Sequence, residues 1–138
     1  MRPSWPRRSA GDCRLYLVRN GRIEARTRDH TSVQQLVDAG RIREEAAAAH
    51  PERNRLLQCL GSDHTPEPSP VAETRLEKGD VILLSSDGFW APLTTRHLMH
   101  SLMTRPIKDA IPELAEAAES RAGAACDNVT VLAMTWNG

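Results

Sequence analysis

The hydrophobic pattern is clearest over residues 76–90, L-E-K-G-D-V-I-L-L-S-S-D-G-F-W. Gly79 marks a turn, an uninterrupted apolar run follows it, and the run ends at Asp87. A short apolar run bounded by glycine on both sides predicts a buried β-strand. A second apolar run, residues 129–134, begins directly after Asp127-Asn128. Each of these predicted strands therefore has an aspartate at one end.

The rest of the chain divides into further hairpins and helices. Asn20-Gly21 lies between two strand-like runs and predicts a tight hairpin, since both turn positions tolerate positive φ. Ser32 with Gln35 has capping-box spacing, and Gly40 is placed to end that helix. The other predicted elements are a second hairpin that joins residues 71–76 to 81–85, an alanine-rich helix at 43–49, a helix from Thr94 or Thr95, and a helix at 107–122.

The order of these elements is hairpin, helices, hairpin, helices, strand. Clustered hairpins with helices between them predict antiparallel sheets covered by helix pairs, an α+β domain rather than a doubly wound one. Residues 1–10 are predicted to be unstructured, yet a strong strand follows Gly11 at once. We therefore expect that this sheet has lost an earlier partner strand.

Composition and charge narrow the class of protein. The chain has 138 residues, 40% hydrophobic, and its 18 basic and 18 acidic residues cancel. This length supports one domain, and the absence of a basic excess argues against nucleic acid as a partner. Three cysteines without paired spacing fit a reducing compartment. With neither a membrane-length apolar run nor a signal-peptide core, we expect a cytoplasmic protein without membrane contact.

Two aspartates at strand ends, each beside a turn former, can present oxygen ligands to a hard cation. Five segments in order then resemble the metal-dependent serine/threonine protein phosphatases, the type 2C or PPM family in its bacterial form. Each motif is weak alone, but five in the family's order are specific. The segments are Gly11-Asp12-Cys13-Arg14, with cysteine in place of the family's serine, Thr27-Arg28-Asp29-His30-Thr31, His50-Pro51-Glu52-Arg53-Asn54, Ser86-Asp87-Gly88 and Asp127-Asn128-Val129-Thr130.

The resemblance implies a four-layer α-β-β-α sandwich of antiparallel sheets flanked by helices. It also implies two Mn²⁺ or Mg²⁺ ions, with Asp87 and Asp127 at the family's metal-ligand positions. In that family a metal-bound water, rather than a side chain, attacks a phosphoserine or phosphothreonine of a protein substrate. The implied partner is therefore a phosphoprotein, modified by a serine/threonine kinase. The oligomeric state is left open.

The N-terminal motifs of the family, including a D-G-x-G-G turn with a bridging aspartate, have no counterpart in this sequence. We therefore interpret residues 11–138 as the C-terminal portion of a PPM domain that lacks its N-terminal strands, and residues 1–10 as unstructured or non-homologous. The implied site is then complete only in a longer chain. Two alternatives remain: a catalytically inactive pseudophosphatase that binds a protein partner, and an unstable fragment without activity.

Simpler roles compete with metal binding for each polar candidate. Asp87 and Asp127 could each be turn-capping residues held by backbone N–H groups. The helix at 44–49 lies where the family carries a mobile flap, but an ordinary exposed helix is equally consistent with its composition. Structural or surface roles are predicted for the remaining candidates, Asp12, Asp29, His30, His50, His97 and His100.

Overall fold

The computed structural model describes residues 4–47, 49–70 and 72–138. Two antiparallel sheets are present there, one of four strands in the order β3-β2-β5-β6 and one of two strands, β1-β4. The elements are β1 (Ser4–Arg7), β2 (Arg14–Arg19), β3 (Arg22–Arg26), α1 (Ser32–Asp38), α2 (Glu44–Ala47), β4 (Ala72–Arg75), β5 (Val81–Ser85), α3 (Asp87–Trp90), α4 (Thr95–Thr104), α5 (Ile107–Ala122), a 3₁₀ turn (Gly123–Ala125) and β6 (Val131–Thr135).

Strand β5 lies at the centre of the molecule, between β2 and β6. Its neighbours Ile82 and Leu83 point to opposite faces of the sheet, and both are fully buried. Leu83 packs with Phe89 of α3 and Leu114 of α5 on the helical face. Ile82 packs on the other face against Leu76 and other residues next to the two-stranded sheet. Burial on both faces explains the uninterrupted apolar run and confirms the predicted strand, antiparallel sheets and α+β class.

The first hairpin forms as its turn chemistry predicts. Asn20 and Gly21 have φ values of 50° and 71°, the left-handed pair that a tight two-residue hairpin turn requires. Helix α1 begins at Ser32, one residue earlier than a Ser32 cap predicts, because its N-cap is Thr31, whose hydroxyl accepts a hydrogen bond from the Gln34 N–H at 3.1 Å. The turn signals were therefore correct, whereas the proposed capping box was displaced by one residue.

The predicted second hairpin is wrong. Strand β4 pairs with β1 and lies in the other sheet, while β5 pairs with β2 and β6; Val71 lies outside the described residues. The physical reason is the turn after β4, where Arg19 donates two 2.8 Å hydrogen bonds to the Asp80 carboxylate and another 2.8 Å bond to the Arg75 carbonyl. These bonds hold the chain in a corner between the two sheets.

The prediction of an unstructured segment at residues 1–10 is wrong for Ser4–Arg7. These residues form β1, with Trp5 opposite Thr74 and Pro6 opposite Glu73 of β4. Proline lacks a donor for a sheet ladder but is accepted in a strand at a sheet edge. Trp5 packs toward the apolar cluster of Leu17, Leu76 and Ile82, so burial of the indole anchors the strand. Whether residues 1–10 are homologous to the family stays a prediction.

The helices of the described part of the chain include none that is both long enough and apolar enough to traverse a lipid bilayer.

Candidate functional site

The ends of β5 and β6 bring Asp87 and Asp127 to one end of the four-stranded sheet. Ser85, the last residue of β5, pairs with Val131, the first residue of β6. Beyond this pair Ser86 ties the two segments together: its N–H donates to the Thr130 carbonyl at 3.0 Å, and its hydroxyl donates to the Asn128 carbonyl at 3.1 Å. Asp87 comes directly after Ser86 and Asp127 directly before Asn128, so both predicted ligand positions lie next to the hydrogen bond that joins these two segments.

Gly88 permits the close approach of these segments. A Cβ atom at this position would lie 2.4 Å from the Asn128 carbonyl oxygen and 3.3 Å from the Asp127 carbonyl carbon. No side chain can be accommodated at such a distance without a backbone shift. The glycine that follows Asp87 is thus required by packing against the Asp127 segment.

A third carboxylate, Asp12, lies near the same end of the sheet. Arg14 of β2 pairs with Ser85 of β5 in antiparallel register. Asp12 precedes this pair by two residues and Asp87 follows it by two, so the register brings them to the same edge. Burial raises the pKa of Asp12, and the charge of Asp87 raises it further. We call Asp12, Asp87 and Asp127 the carboxylate rim.

The sequence predicted a structural role for Asp12 and did not indicate that Asp12 lies near Asp87. The signal that could have revealed it is the register of two strands that are distant in sequence, which no local pattern shows. The Cys13 residue is exposed, but its thiol is partly shielded from water, which raises the pKa of the thiol, and the charges of Asp12 and Asp87 raise it further.

A small network joins the Asp12 segment to α3. The indole Nε1 of Trp90 donates to the Asp12 carbonyl at 2.9 Å, and the Arg14 guanidinium lies 3.3 Å above the Trp90 ring centroid. Arg14 in turn donates to both carboxylate oxygens of Asp29, at 2.9 and 2.7 Å. The predicted hydrogen-bonding role of Asp29 is confirmed. Trp90, expected only to pack, also fixes the backbone beside the carboxylate rim.

No arginine or lysine of the described residues lies within ion-pair distance of the carboxylate rim. The contact made by the Asp127 carboxylate is a 2.7 Å hydrogen bond from the Asn128 N–H, which is the turn-capping role considered in the sequence. Such a bond uses one lone pair of one oxygen and leaves the other oxygen able to bind a cation.

The donor chemistry of the carboxylate rim suits a hard divalent cation, because Mg²⁺ and Mn²⁺ prefer oxygen ligands. However, the number of ligand side chains is too small for a complete metal site. Within the described ranges, no three His, Cys, Asp or Glu side chains are arranged closely enough to hold a metal ion. The residues present therefore fit part of a metal site and not the whole of one.

The predicted histidine candidates have contacts outside the carboxylate rim. His30 bonds the Gly11 carbonyl at 3.3 Å and the Ser69 hydroxyl at 3.2 Å, which confirms its scaffold role. The His50 ring accepts a 3.1 Å bond from the Glu52 N–H. His100 is exposed as predicted, whereas the Nδ1 of His97 is buried with no hydrogen-bond partner among the described atoms.

The chain is similar to several bacterial phosphatases. It is 38% identical over 127 residues to the serine/threonine protein phosphatase PstP of Mycobacterium tuberculosis and 34% identical over 122 residues to a putative protein phosphatase 2C-type of Streptococcus pyogenes. The solved structure of the serine/threonine phosphatase Stp1 from Staphylococcus aureus superimposes with a TM-score of 0.87 at 31% identity, over 98% of this chain. The PstP catalytic domain in complex with two manganese ions gives a TM-score of 0.76 at 32% identity, over 94% of this chain.

The matches extend over only part of each relative. The chain spans 23% of the M. tuberculosis protein and 48% of the S. pyogenes protein, and 52% of the Stp1 structure. No protein-family model matches the sequence. The ordered motifs, the sequence identities and the superpositions agree with one another, and they place this chain in the bacterial PPM family of serine/threonine phosphatases, as a portion that corresponds to about half of the domain seen in its structural relatives.

Proposed function

We propose that this chain carries part of the metal centre of a phosphoprotein phosphatase, which removes phosphate from phosphoserine or phosphothreonine once the site is complete in a longer chain or assembly. The observation that supports this most directly is the joining of the Asp87 and Asp127 segments at one sheet end through Ser86 and Gly88. The family relation adds the reaction class.

In this proposal Asp87 and Asp127 hold a divalent cation through carboxylate oxygens, and Asp12 contributes negative charge beside Asp87. Two ions per complete site are proposed, because the PstP catalytic domain is solved with two manganese ions. When bound, such ions supply an activated water and offset the charge that develops on the phosphoryl group. The part of this chain is to position carboxylates; no side chain is proposed to attack the phosphorus.

The ligand assignment is tested by manganese binding to a fusion in which this chain replaces the matched portion of M. tuberculosis PstP, because the chain alone supplies only part of a site. We expect calorimetry to detect manganese binding by the fusion and at least about tenfold weaker binding when it carries Asp87→Asn or Asp127→Asn. Asp63→Asn is the matched control, since this aspartate is exposed and lies in a loop. Equal manganese affinity in all four proteins would refute the assignment.

The reaction is tested in the same fusion. We expect manganese-dependent release of phosphate from a phosphothreonine peptide. Asp87→Asn in the fusion should lower the rate by about 100-fold or more, since even changes outside the ligand shell cost about 10–100-fold. A folded fusion that binds manganese and releases no phosphate would favour the pseudophosphatase alternative.

The substrate is proposed to be a protein phosphorylated by a serine/threonine kinase, because the relatives are named as protein phosphatases. We also propose the cytoplasm as the site of action. Its support is that all three cysteines are free, which is typical of a reducing compartment.

A further inference from the structure

A cleft of about 650 Å³ opens on the side of the molecule where β1 and β3 end. It lies between the end of β1, the segment that follows β3, helix α1 and the proline-rich segment before β4. Ligand-binding sites in proteins commonly have volumes of about 300–1,000 Å³, so the size of this cleft is suitable for a ligand. Four arginines line it, and we call it the arginine cleft: Arg7, Arg8, Arg26 and Arg28.

Two of these arginines are neutralised by carboxylates. Arg26 forms an ion pair with Glu44 at 2.8 Å. Arg28 forms another with Asp38 at 2.5 Å. The other two arginines of the cleft have no carboxylate within ion-pair distance among the residues that the structure describes. Their charges are therefore available to a ligand.

The carboxylates of the cleft leave an excess of positive charge. Asp29 accepts hydrogen bonds from Arg14 on both of its oxygens, at 2.9 and 2.7 Å. Asp38 is held by its arginine, as described above. The third lining carboxylate, Glu67, is exposed and belongs to none of the ion pairs of the described residues. Two uncompensated arginines are thus opposed by one exposed glutamate.

Arg7 and Arg8 keep most of their hydrogen-bond donors for a ligand. Each guanidinium has five N–H groups in one plane. The Nη1 of Arg7 donates to the Thr74 hydroxyl, and the Nε of Arg8 donates to the Ser69 carbonyl at 3.3 Å. The remaining N–H groups have the geometry that binds two oxygens of a phosphate group at once.

The wall beside Arg8 is held in place before any ligand binds. The Ser69 N–H donates to the Ser9 carbonyl at 2.9 Å, and the hydroxyl oxygens of these serines lie 3.2 Å apart. The Ser69 hydroxyl also lies 3.2 Å from the Nε2 of His30. Prolines on both sides of Ser69 fix their own φ angles. Because little additional chain must be ordered, the entropic cost of binding here is low.

We propose that the arginine cleft is an anion site, separate from the carboxylate rim, that binds a phosphate group through Arg7 and Arg8. The phosphate is either carried by a phosphopeptide or present as free inorganic phosphate, since both offer the same oxygen acceptors. Ser9 precedes Asp12 by three residues, so their Cα atoms lie at most about 11 Å apart. The cleft is therefore close to the carboxylate rim but has the opposite charge.

The proposal is tested with the intact chain, freed of metal on a chelating resin, because every residue of the arginine cleft belongs to this chain. Without a divalent cation the carboxylate rim repels phosphate. The probes are inorganic phosphate and a phosphothreonine peptide, titrated by calorimetry, with the unphosphorylated peptide as the blank. We expect binding that weakens as the salt concentration rises. Tighter binding of the peptide identifies a phosphopeptide as the ligand, and equal or tighter binding of inorganic phosphate identifies the free ion.

Three variants locate the binding in the cleft. Arg7→Gln and Arg8→Gln should each bind the phosphate probes about tenfold more weakly, since each loses charge-assisted hydrogen bonds. Glu67→Gln should bind them more tightly, because it removes the opposing charge. Arg22→Gln is the matched control, since it removes the same charge from an exposed position of β3 outside the cleft.

Arg8 is exposed, so Arg8→Gln keeps the test decisive even where Arg7→Gln perturbs β1, and circular dichroism shows whether each variant is folded. Three results would each overturn the proposal: no binding of either phosphate probe by the unmodified chain, unchanged binding by Arg8→Gln, or an equal loss of binding in Arg22→Gln.

This inference and the proposed function can fail separately, because the arginine cleft contains none of the proposed metal ligands. Phosphate binding that depends on Arg8, together with a PstP fusion that releases no phosphate, supports the anion site and refutes the activity. Phosphate release by the fusion, together with a metal-free chain that binds neither probe, supports the activity and refutes the anion site.

Discussion

Two groups of aspartates in this chain have opposite environments. At the corner between the sheets, Asp80 is fully buried and accepts hydrogen bonds from the Arg19 guanidinium and from the Glu77 N–H. Its bonds to Arg19 hold the pKa of that carboxyl below its usual value. At the carboxylate rim no cation of the described residues forms an ion pair, and burial together with the charge of Asp87 raises the pKa of Asp12 although Arg14 partly offsets the rise.

The difference separates a carboxylate with a structural role from carboxylates that are candidates for ligand binding. Asp80 already has its charge partner, Arg19, inside the fold. At the rim the charge of Asp87 disfavours the ionisation of Asp12, an unfavourable interaction that a bound divalent cation would relieve. A carboxyl group whose pKa is raised by burial and by a neighbouring carboxylate is a better candidate for a binding site than an acidic residue alone.

The largest loss of stability is expected when Asp80, at the corner between the two sheets, is replaced. Asp80→Ala leaves the Arg19 guanidinium without its main partner, and we expect the loss to exceed the roughly 1 kcal/mol of an exposed pair, because Asp80 itself is fully buried. Chemical denaturation measures the loss in the free energy of unfolding. Glu77→Ala removes the exposed partner of the same arginine and should cost no more than about 1 kcal/mol. Similar losses in the two variants would contradict the structural role of Asp80.

Gly88→Ala perturbs the carboxylate rim through the backbone. The new methyl group would overlap the Asn128 carbonyl, and relief of such overlap costs about 1–3 kcal/mol. We also expect weaker manganese binding by the PstP fusion, because the Asp87 and Asp127 segments must separate. In Gly61→Ala the backbone is strained at a φ of 85°, but no atom lies within 4 Å. This control should lose stability and keep its manganese affinity, and a parallel loss of affinity would rule out the local explanation.

Trp90→Phe is expected to have a smaller effect. An aromatic ring remains, but it is smaller, and the indole hydrogen bond to the Asp12 carbonyl is lost, which by itself costs about 0.5–1.5 kcal/mol. Thermal unfolding measures this loss, and NMR titration of the Asp12 carboxyl shows whether its environment changes. Trp136→Phe provides the comparison, since Trp136 packs in the other apolar cluster. An unchanged Asp12 titration in Trp90→Phe would show that the indole does not position this segment.

The smallest effect is expected for Asp12→Asn, which should change how the stability of the chain depends on pH. Because folding raises the pKa of Asp12, its ionisation lowers stability as the pH rises through the folded-state pKa. The variant should therefore be more stable than the unmodified chain at neutral pH and indistinguishable from it well below the ordinary value of 3.8. For Asp80 the sign is reversed: its contribution is present above 3.8 and is lost as the pH falls through its lowered pKa. Thermal unfolding between pH 2 and 7 measures both, and equal slopes would refute the distinction.

The elements that the sequence predicted correctly are determined by residues that are close together in the sequence. The Asn20-Gly21 turn, the helix boundary at Gly40 and the apolar β5 strand each follow from local backbone or burial requirements. The pairing of β4 could not be predicted in the same way, because its partner is β1 and the corner at Asp80 depends on an arginine about 60 residues away.

The candidate site shows the same limit. Asp87 and Asp127 were identified because each occurs in a motif at the end of an apolar run. Asp12 also lies in a motif, but its proximity to Asp87 follows from the β2–β5 register, which is a property of the folded sheet. The need for glycine at position 88 could not be predicted either, because it arises from the Asn128 carbonyl, which lies too close for a Cβ atom.

The pairing of β1 with β4 has a kinetic consequence. The side chains of Arg7 and Thr74, 67 positions apart, are joined by a hydrogen bond, whereas the β2–β3 hairpin closes within a few residues. A hairpin forms in about 1–10 μs, and pairing of distant segments is slower because loop closure must come first. We therefore expect the small sheet to assemble last during folding and to detach first during unfolding. For a time during each folding event, the whole inner surface of the large sheet is then accessible, so the order of assembly leaves an interval in which a competing strand can be captured.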